Sequence, residues 1–252
     1  MPRCIRNKEQ ALARYRTRVI EDFISDRLKT HGGVLIRGPK AVGKTTTARR
    51  FAGSEVRLDQ DRASRTAART DPRLVLEGAR PRLIDEYQLA AGLWDAARGS
   101  IDDLGAKGLY LLTSSSTPES DEEMHTGARR IALVSMRTMT FFERGLSGGT
   151  VSLGELLLGK RVSAPAAKSS VRDIVTALAI GGWPDNLDLP PDEALDANAD
   201  YLDIIVNVDV QRVEGVSRDP DGLRGLIASY ARNVATDAAL RTIGRASENP
   251  VS

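Results

Sequence analysis

The chain has very few of the residues that form disulfides or bind zinc. Cys4 is the single cysteine among 252 residues, which excludes an intramolecular disulfide and a cysteine-based metal cluster. The two histidines, His31 and His125, are far apart in the sequence, so a zinc site has little support. These shortages argue against a disulfide-stabilised secreted domain and against a zinc-binding module.

Long apolar segments and net charge are scarce as well. No run approaches the roughly 20 apolar residues of a membrane-spanning helix, and the first residues lack the apolar stretch of a secretory signal. We therefore expect a cytoplasmic protein without a membrane partner. The formal net charge of +2 is too small to indicate nucleic-acid binding by itself.

Aromatic residues make up only 4% of the chain, whereas 41% of the residues are hydrophobic. The core must therefore be built from leucine, valine, isoleucine and alanine. The length fits one large domain, or a core of about 150 residues with an appendage.

The most informative segment is a loop between an apolar run and a predicted helix. Residues 38–45 read Gly-Pro-Lys-Ala-Val-Gly-Lys-Thr, after the apolar run Val34–Ile36. Glycines let successive backbone N–H groups turn toward a polyphosphate, and the helix N-terminus adds partial positive charge. In this motif the lysine reaches the β- and γ-phosphates, and the final hydroxyl ligates Mg²⁺. The predicted nucleotide-binding residues are Gly38, Pro39, Lys40, Ala41, Val42, Gly43, Lys44, Thr45 and Thr46.

A pair of carboxylates follows another short apolar run. Arg82–Ile84 predicts a strand that ends at Asp85 and Glu86. With such a phosphate loop, an acid at the tip of a neighbouring strand holds Mg²⁺ together with Thr45, and the next glutamate can act as general base for water. Kinases with this loop receive their acceptor hydroxyl from the substrate, so Glu86 favours hydrolysis over phosphoryl transfer to a small molecule. A solvated acidic turn is the alternative interpretation.

The pattern along the chain predicts an α/β fold. Strands that alternate with helices indicate a parallel sheet flanked by helices, and ligands bind such sheets at the carboxyl ends of the strands. The predicted strands are Val34–Ile36, Glu55–Asp59, Arg82–Ile84, Gly108–Leu112 and Ile131–Met136. The predicted helices are Arg18–Lys29, Thr46–Phe51, Leu93–Asp103, Leu153–Leu158, Val171–Ile180, Pro191–Val213, Asp219–Asn233 and Thr236–Ile243. The stretch from Asp59 to Pro72 is polar and rich in arginine, alanine and aspartate.

Three further side chains are candidates for catalysis. Thr113 ends the fourth strand, where a hydroxyl would lie between the phosphate loop and the metal-binding strand; a simple loop start is the alternative. Arg130 precedes the fifth strand and Arg137 follows it. Either could stabilise charge on the γ-phosphate, in its own subunit or in a neighbour; a surface role is the alternative for each. The N-terminal arginines Arg3, Arg6, Arg14, Arg16 and Arg18 are interpreted as a solvated helix face in preference to a basic patch.

In order along residues 15 to 215, these motifs resemble bacterial and archaeal AAA-superfamily ATPases that carry a C-terminal domain of unknown function. The matching pieces are residues 34–40, 43–48, 56–59, 81–86, Gln88, 109–116, 127–128, 130–131, 136–137, 142–143 and 181–184. The resemblance implies a P-loop NTPase fold, ATP, Mg²⁺ and hydrolysis. It also implies that Trp183 and Pro184, in a Gly-Gly-Trp-Pro element of a helical lid, lie against the adenine; a helix C-cap with glycine and proline is the alternative.

The resemblance also has departures. Ser114 and Arg129 stand where relatives usually have glycine. Relatives extend past residue 252 into a winged-helix-like unit and a nuclease-like fold, and Asp219–Arg245 resembles only the first helices of that unit, so the resemblance implies a shortened chain. The expected organisation is a helical lead-in (1–30), an ATPase core (31–145), a helical lid (146–215) and an incomplete winged-helix-like segment (216–252).

The leading hypothesis is a Mg²⁺-dependent ATP-binding protein that hydrolyses ATP and acts as a nucleotide-driven switch, with a protein partner or a second copy of itself. One alternative is a nucleic-acid-associated regulatory ATPase, motivated by the arginines between Arg212 and Arg245. Another is an ATP-dependent interaction module with little turnover.

Overall fold

The computed structural model describes residues 15–115, 127–165, 169–210 and 219–248. Arg3, Arg6, Arg14, His125 and Arg212 lie outside these ranges. The chain divides into two units, residues 1–187 and 188–252. The boundaries at 145 and 215 stay predictions.

The first unit contains a sheet of five strands, all paired in parallel. They are β1 (Gly33–Arg37), β2 (Ser54–Arg57), β3 (Arg82–Asp85), β4 (Tyr110–Ser114) and β5 (Ile131–Ser135), in the order β2-β3-β4-β1-β5. All five predicted strands are present. Every residue of β4 is buried, which agrees with its nearly continuous apolar sequence, because a central parallel strand is covered on both faces.

The first unit also contains helices, some of which pack on the faces of the sheet. They are α1 (Glu21–Thr30), α2 (Lys44–Ala48), α3 (Arg62–Thr70), α4 (Leu93–Leu104), α5 (Leu153–Leu157) and α6 (Val171–Ile180), with short 3₁₀ turns at Pro72–Val75, Tyr87–Leu89 and Pro184–Asn186. Because successive strand residues point to opposite faces, Leu35 joins one apolar cluster with Trp94 of α4. Its neighbour Val34 joins the other, with Ile24 of α1.

Helix α3 occupies the polar stretch after Asp59, for which the sequence predicted no helix or strand. The Asp61 side chain caps the helix by accepting hydrogen bonds from the N–H groups of Ala63 and Ser64, at 2.9 and 3.1 Å. Ala68 is its one buried residue. The helix therefore depends on its cap and on alanine and arginine, which are good helix formers, and it lacks the apolar stripe that would have revealed it.

The second unit is helical in its described parts. It contains α7 (Pro191–Ile204), which continues as a π-helical turn at Ile205–Asp209, then α8 (Pro220–Arg232) and α9 (Leu240–Glu248). The Ser229 hydroxyl of α8 donates to the Ile243 carbonyl of α9 at 2.9 Å. No helix in these ranges is both long enough and apolar enough to cross a membrane.

Candidate functional site

The carboxyl edge of the sheet brings most of the predicted site residues together. Strand β4 lies between β1, which leads into the phosphate loop, and β3, which ends at Asp85. Thr113, near the end of β4, lies between the two elements.

Asp85 connects the phosphate loop to this edge. Its side chain is 1% exposed, and Oδ1 accepts hydrogen bonds from the Thr45 and Thr113 hydroxyls at 2.7 and 2.6 Å. Both groups offer oxygen ligands, which Mg²⁺ prefers, and Mg²⁺ bound with a nucleotide needs only one or two protein ligands besides phosphate and water oxygens. The described residues contain no group of three or more acidic, histidine or cysteine side chains that could hold a metal on their own. Thr45 and Asp85 thus fit a nucleotide-bound Mg²⁺ ion.

The phosphate loop has the backbone shape that its sequence predicts. Ala41 and Gly43 have left-handed φ angles of 62° and 91°, and no side chain caps helix α2, which begins at Lys44. A Cβ atom on Gly38 would lie 2.2 Å from the Met136 carbonyl oxygen, so only glycine fits there. Thr46 lies in the first turn of α2.

Lys44 folds back over the loop. Its Nζ donates to the Gly38 and Pro39 carbonyls at 3.0 and 2.8 Å. Burial lowers the pKa of Lys44, and the nearby carboxylates of Glu86 and Asp85 oppose that shift in part. The ammonium group therefore occupies the loop and faces the two acids.

Glu86 sits on a strained turn just past Asp85. Its backbone is left-handed, with φ 57° and ψ 53°, which costs a residue with a Cβ about 1–3 kcal/mol. The Glu86 N–H donates to the Thr113 hydroxyl at 3.0 Å, so Thr113 positions both acids. The Glu86 carboxylate accepts from the Ser115 hydroxyl at 2.7 Å and from the Gln88 amide. The sequence did not predict these two contacts.

The structure separates the two candidate arginines. Arg130 lies at the amino end of β5 and pairs with Asp102 of α4 at 2.6 Å. A five-residue strand spans about 16 Å, so Arg130 is remote from the phosphate loop of its own chain, and a role at a neighbouring subunit stays a prediction. Arg137 follows β5 at the carboxyl end and its side chain is exposed; its role also stays a prediction. Arg129 has a left-handed φ of 66°, a backbone conformation that glycine adopts most readily.

The Gly-Gly-Trp-Pro element lies against the phosphate loop. The Met139 N–H donates to the Gly182 carbonyl at 2.7 Å, and a Cβ atom on Gly182 would lie 2.4 Å from the Met139 carbonyl oxygen. The Pro184 ring is 3.7 Å from the position of a Cβ atom on Gly43. Trp183 packs on the apolar cluster that contains Val42. The structure thus brings Trp183 and Pro184 to the loop; their contact with adenine stays a prediction.

Sequence reasoning missed Arg18. Its guanidinium donates to Glu143 at 2.9 Å, to the Val42 carbonyl of the phosphate loop at 2.8 Å and to the Arg137 carbonyl at 2.7 Å. The side chains of Arg18 and Glu143 are 5% and 2% exposed, so the interpretation of Arg18 as part of a solvated face was wrong. The lead-in segment therefore stabilises the phosphate loop through the hydrogen bond from Arg18 to the Val42 carbonyl.

Tyr15 makes a second contact from the lead-in segment. Its hydroxyl donates to Glu21 at 2.8 Å and shares a hydrogen bond of 3.0 Å with Thr47 of α2. Burial raises the pKa of Tyr15 to about 12. The phenol thus stays protonated at neutral pH and serves as a fixed hydrogen-bond donor.

Comparison with known proteins agrees with this geometry. Residues 30–144 match the family described as an AAA domain. A search of curated protein sequences returned no significant match.

Three solved structures are similar at low identity. AMPPCP-bound DnaA from Aquifex aeolicus is 16% identical over 90% of this chain and 81% of that chain, with a TM-score of 0.36. A DNA replication initiation factor is 16% identical over 92% and 82%, also with a TM-score of 0.36. PCH-2 of C. elegans is 12% identical over 98% and 72%, with a TM-score of 0.32. At these TM-scores the superpositions carry no weight.

The assignment rests on the strand order, the phosphate loop and the family match. In the sheet, β4 separates β1, which leads into the phosphate loop, from β3, which ends at the Asp-Glu pair. All three strands lie within the residues that match the AAA domain. Residues 30–144 thus match an AAA domain, and the first unit has the parallel sheet and phosphate loop of a P-loop NTPase fold.

Proposed function

We propose that the protein is a Mg²⁺-dependent ATPase that acts as a nucleotide-driven switch. The observation that carries the proposal is the 2.7 Å hydrogen bond between Thr45 and Asp85, with Glu86 as the next residue. This hydrogen bond brings the hydroxyl of the phosphate loop to the carboxylate that is suited to the metal. Glu86, whose carboxylate is suited to water, follows at the same edge of the sheet.

Each side chain has a separate task in this proposal. Lys44 leaves the Gly38 and Pro39 carbonyls and binds phosphate oxygens, together with the N–H groups at the start of α2. Thr45 and Asp85 would hold Mg²⁺, which would neutralise charge on the phosphates. Thr113 keeps Asp85 in place, and Glu86 orients water and accepts its proton. Catalysis is therefore mostly positioning and electrostatics.

The switch begins at Pro184. Nucleotide in the phosphate loop would lie beside Gly43, and the Pro184 ring is 3.7 Å from the position of a Cβ atom on Gly43. The Gly-Gly-Trp-Pro element follows directly from the C-terminal end of α6. Arg144 ties that helix to the segment after β5, because its guanidinium donates to the Ala177 carbonyl at 2.9 Å. A change of nucleotide thus has a short path to α6.

ATP hydrolysis by the purified protein, with and without Mg²⁺, tests the proposal. Glu86→Gln should bind ATP with unchanged affinity and hydrolyse it at least tenfold more slowly, because an amide cannot accept the proton from water. Lys44→Ala is the control, which should lose ATP binding itself. Turnover near that of the wild type in Glu86→Gln would remove Glu86 from the mechanism, and unchanged ATP binding in Lys44→Ala would contradict the role of the loop.

The mass of the protein in solution, with and without ATP and Mg²⁺, tests self-association. Arg130 is 40% exposed at the amino end of β5, where a neighbouring subunit could use it. Assembly that requires ATP would support this use, and a monomer under all conditions would exclude it.

A non-hydrolysing interaction module is the second candidate function. It is favoured by the hydrogen bonds from Ser115 and Gln88 to the Glu86 carboxylate, because they hold the proposed base in its present position. ATP binding without turnover in the wild type would select this candidate. The nucleic-acid alternative gains no comparable support, since Arg224 already pairs with Asp203 at 2.6 Å. Cytoplasmic location stays a prediction.

A further inference from the structure

Arg57 is the side chain near the proposed metal site that the mechanism leaves without a task. It is the last residue of β2 and stands in register with Asp85 on β3. Its Nε lies 3.5 Å from Asp85 Oδ2, and a terminal guanidinium nitrogen lies 3.5 Å from Asp59 Oδ2. Arg57 thus faces the carboxylate oxygen of Asp85 that neither threonine binds.

The guanidinium is held by charge alone. Its Nε is buried and makes no hydrogen bond within the described part of the chain. Glu55 lies 3.9 Å from this nitrogen, but both of its carboxylate oxygens accept hydrogen bonds from Arg49, at 2.9 and 2.8 Å from Nε. By contrast, Asp85 Oδ1 has two short hydrogen bonds from threonines. Of the groups around Asp85, Arg57 is therefore the easiest to displace.

A buried carboxylate needs a nearby positive charge. Asp85 is 1% exposed, and Arg57 provides such a charge in this structure. A divalent cation at Thr45 and Asp85 would meet the guanidinium across a few ångströms, where like charges repel strongly. Pairing with Arg57 and binding of the cation thus compete for the same carboxylate.

We propose that, before a nucleoside triphosphate binds, the positive charge of Arg57 balances the charge of Asp85 in place of a divalent cation. The negative charges of the triphosphate then offset the repulsion, so Mg²⁺ binds together with the nucleotide and only weakly before it. This inference rests on the proposed function, because it takes Asp85 as the metal-binding acid.

Binding of Mn²⁺ to the nucleotide-free protein, followed by electron paramagnetic resonance, tests the inference without any measurement of turnover. Arg57→Gln should bind Mn²⁺ at least tenfold more tightly than the wild type, because the competing charge is gone. Arg57→Lys should behave as the wild type. Arg73→Gln is the control for charge; it removes an exposed guanidinium that pairs with Asp71 and should leave Mn²⁺ affinity unchanged.

An unchanged or weaker Mn²⁺ affinity in Arg57→Gln would overturn the inference. Thermal unfolding establishes that the variant is folded, and Arg57→Met, which is also neutral, serves the same test if the glutamine variant is not. A tenfold gain in Arg73→Gln as well would also overturn it, because the effect would then be one of general charge.

Asp85→Asn separates this inference from the proposed function. If Asp85→Asn abolishes Mn²⁺ binding in the presence of ATP while Arg57→Gln changes nothing without nucleotide, the metal site stands and the inference about Arg57 fails. If the double variant Arg57→Gln, Asp85→Asn still shows the gain in affinity, the metal does not bind at Asp85, and the proposed function fails with it.

Discussion

The carboxyl edge of the sheet and the helices α5 and α6 belong to the same unit but differ in which side chains they expose to water. At the edge, polar groups are buried: Lys44, Asp85 and Thr113 are almost inaccessible, and each has hydrogen-bond partners. On the helices, apolar groups are exposed, with Leu157 at 80% and Val171 at 78%. Helix α5 has no buried residue, and α6 buries only Ala177.

The contrast shows where the unit is rigid. Burying charged groups is costly and persists only where partners compensate for the lost water, and such water-poor, preorganised sites stabilise charge best. Helices without buried side chains gain little from packing, so local opening there costs little free energy. Breaking contacts at the carboxyl edge should therefore cost much more than breaking contacts on α5.

The largest effect is expected for Arg18→Ala. Removing one partner of a buried ion pair leaves the other charge uncompensated, which costs about 3–5 kcal/mol, and here the Val42 carbonyl of the phosphate loop also loses its donor. Urea unfolding measures the loss in the free energy of unfolding. The exposed Arg16→Ala is the control and should change stability by no more than about 0.5 kcal/mol. Equal losses in the two variants would mean that the buried pair does not brace the loop.

The pH dependence of the free energy of unfolding provides a second test of Arg18→Ala. Burial raises the pKa of Glu143, but hydrogen bonds from the Thr140 and Val19 N–H groups and from Arg18 outweigh it and lower the pKa below its ordinary value of 4.5. The stabilisation from Glu143 is therefore complete above about pH 4.5 and is lost as the pH falls through the lower folded-state pKa. Arg18→Ala should weaken this loss of stability in acid.

An intermediate effect is expected for Thr113→Val. The change keeps the shape of the side chain but leaves the Glu86 N–H and one hydrogen-bonding position of Asp85 without a partner, at a cost of about 1–3 kcal/mol. ATP hydrolysis should also fall about tenfold, because both acids lose their orientation. Thr66→Val, which removes an exposed hydroxyl on α3 that donates to the Arg62 carbonyl, is the control for stability. Full activity in Thr113→Val would show that the β4 hydroxyl does not position the acids.

Much of the fold and part of the site could be predicted from local sequence. The apolar runs predicted all five strands, and because carboxyl ends of parallel strands share one edge, the loop, Asp85, Glu86 and Thr113 were expected together. The strand order as a whole was not predictable from local pattern, since it depends on the crossover connections.

The contacts of Arg18 and Arg130 were hard to predict for a related reason. Arg18 contacts Glu143, 125 positions away, and Val42, 24 positions away, so no local pattern distinguishes it from the exposed arginines around it. Arg130 precedes β5 and therefore lies at the amino edge of the sheet, opposite the phosphate loop. This position follows from the sequence alone, because the arginine comes before the strand. Its pairing with Asp102 could be known only from the packing of α4.

The smallest effect is expected for Leu157→Ala on α5. Because the leucine is 80% exposed, truncation removes almost no buried apolar surface and should change the free energy of unfolding by no more than about 0.5 kcal/mol. Leu111→Ala on β4 is the matched control, since the same change at a fully buried site costs about 2–5 kcal/mol. Urea unfolding at two protein concentrations measures both. A loss in Leu157→Ala that approaches the loss in Leu111→Ala would contradict the contrast between edge and helices, because Leu157 would then be covered in solution. If that loss grew with protein concentration, the cover would be another copy of the chain.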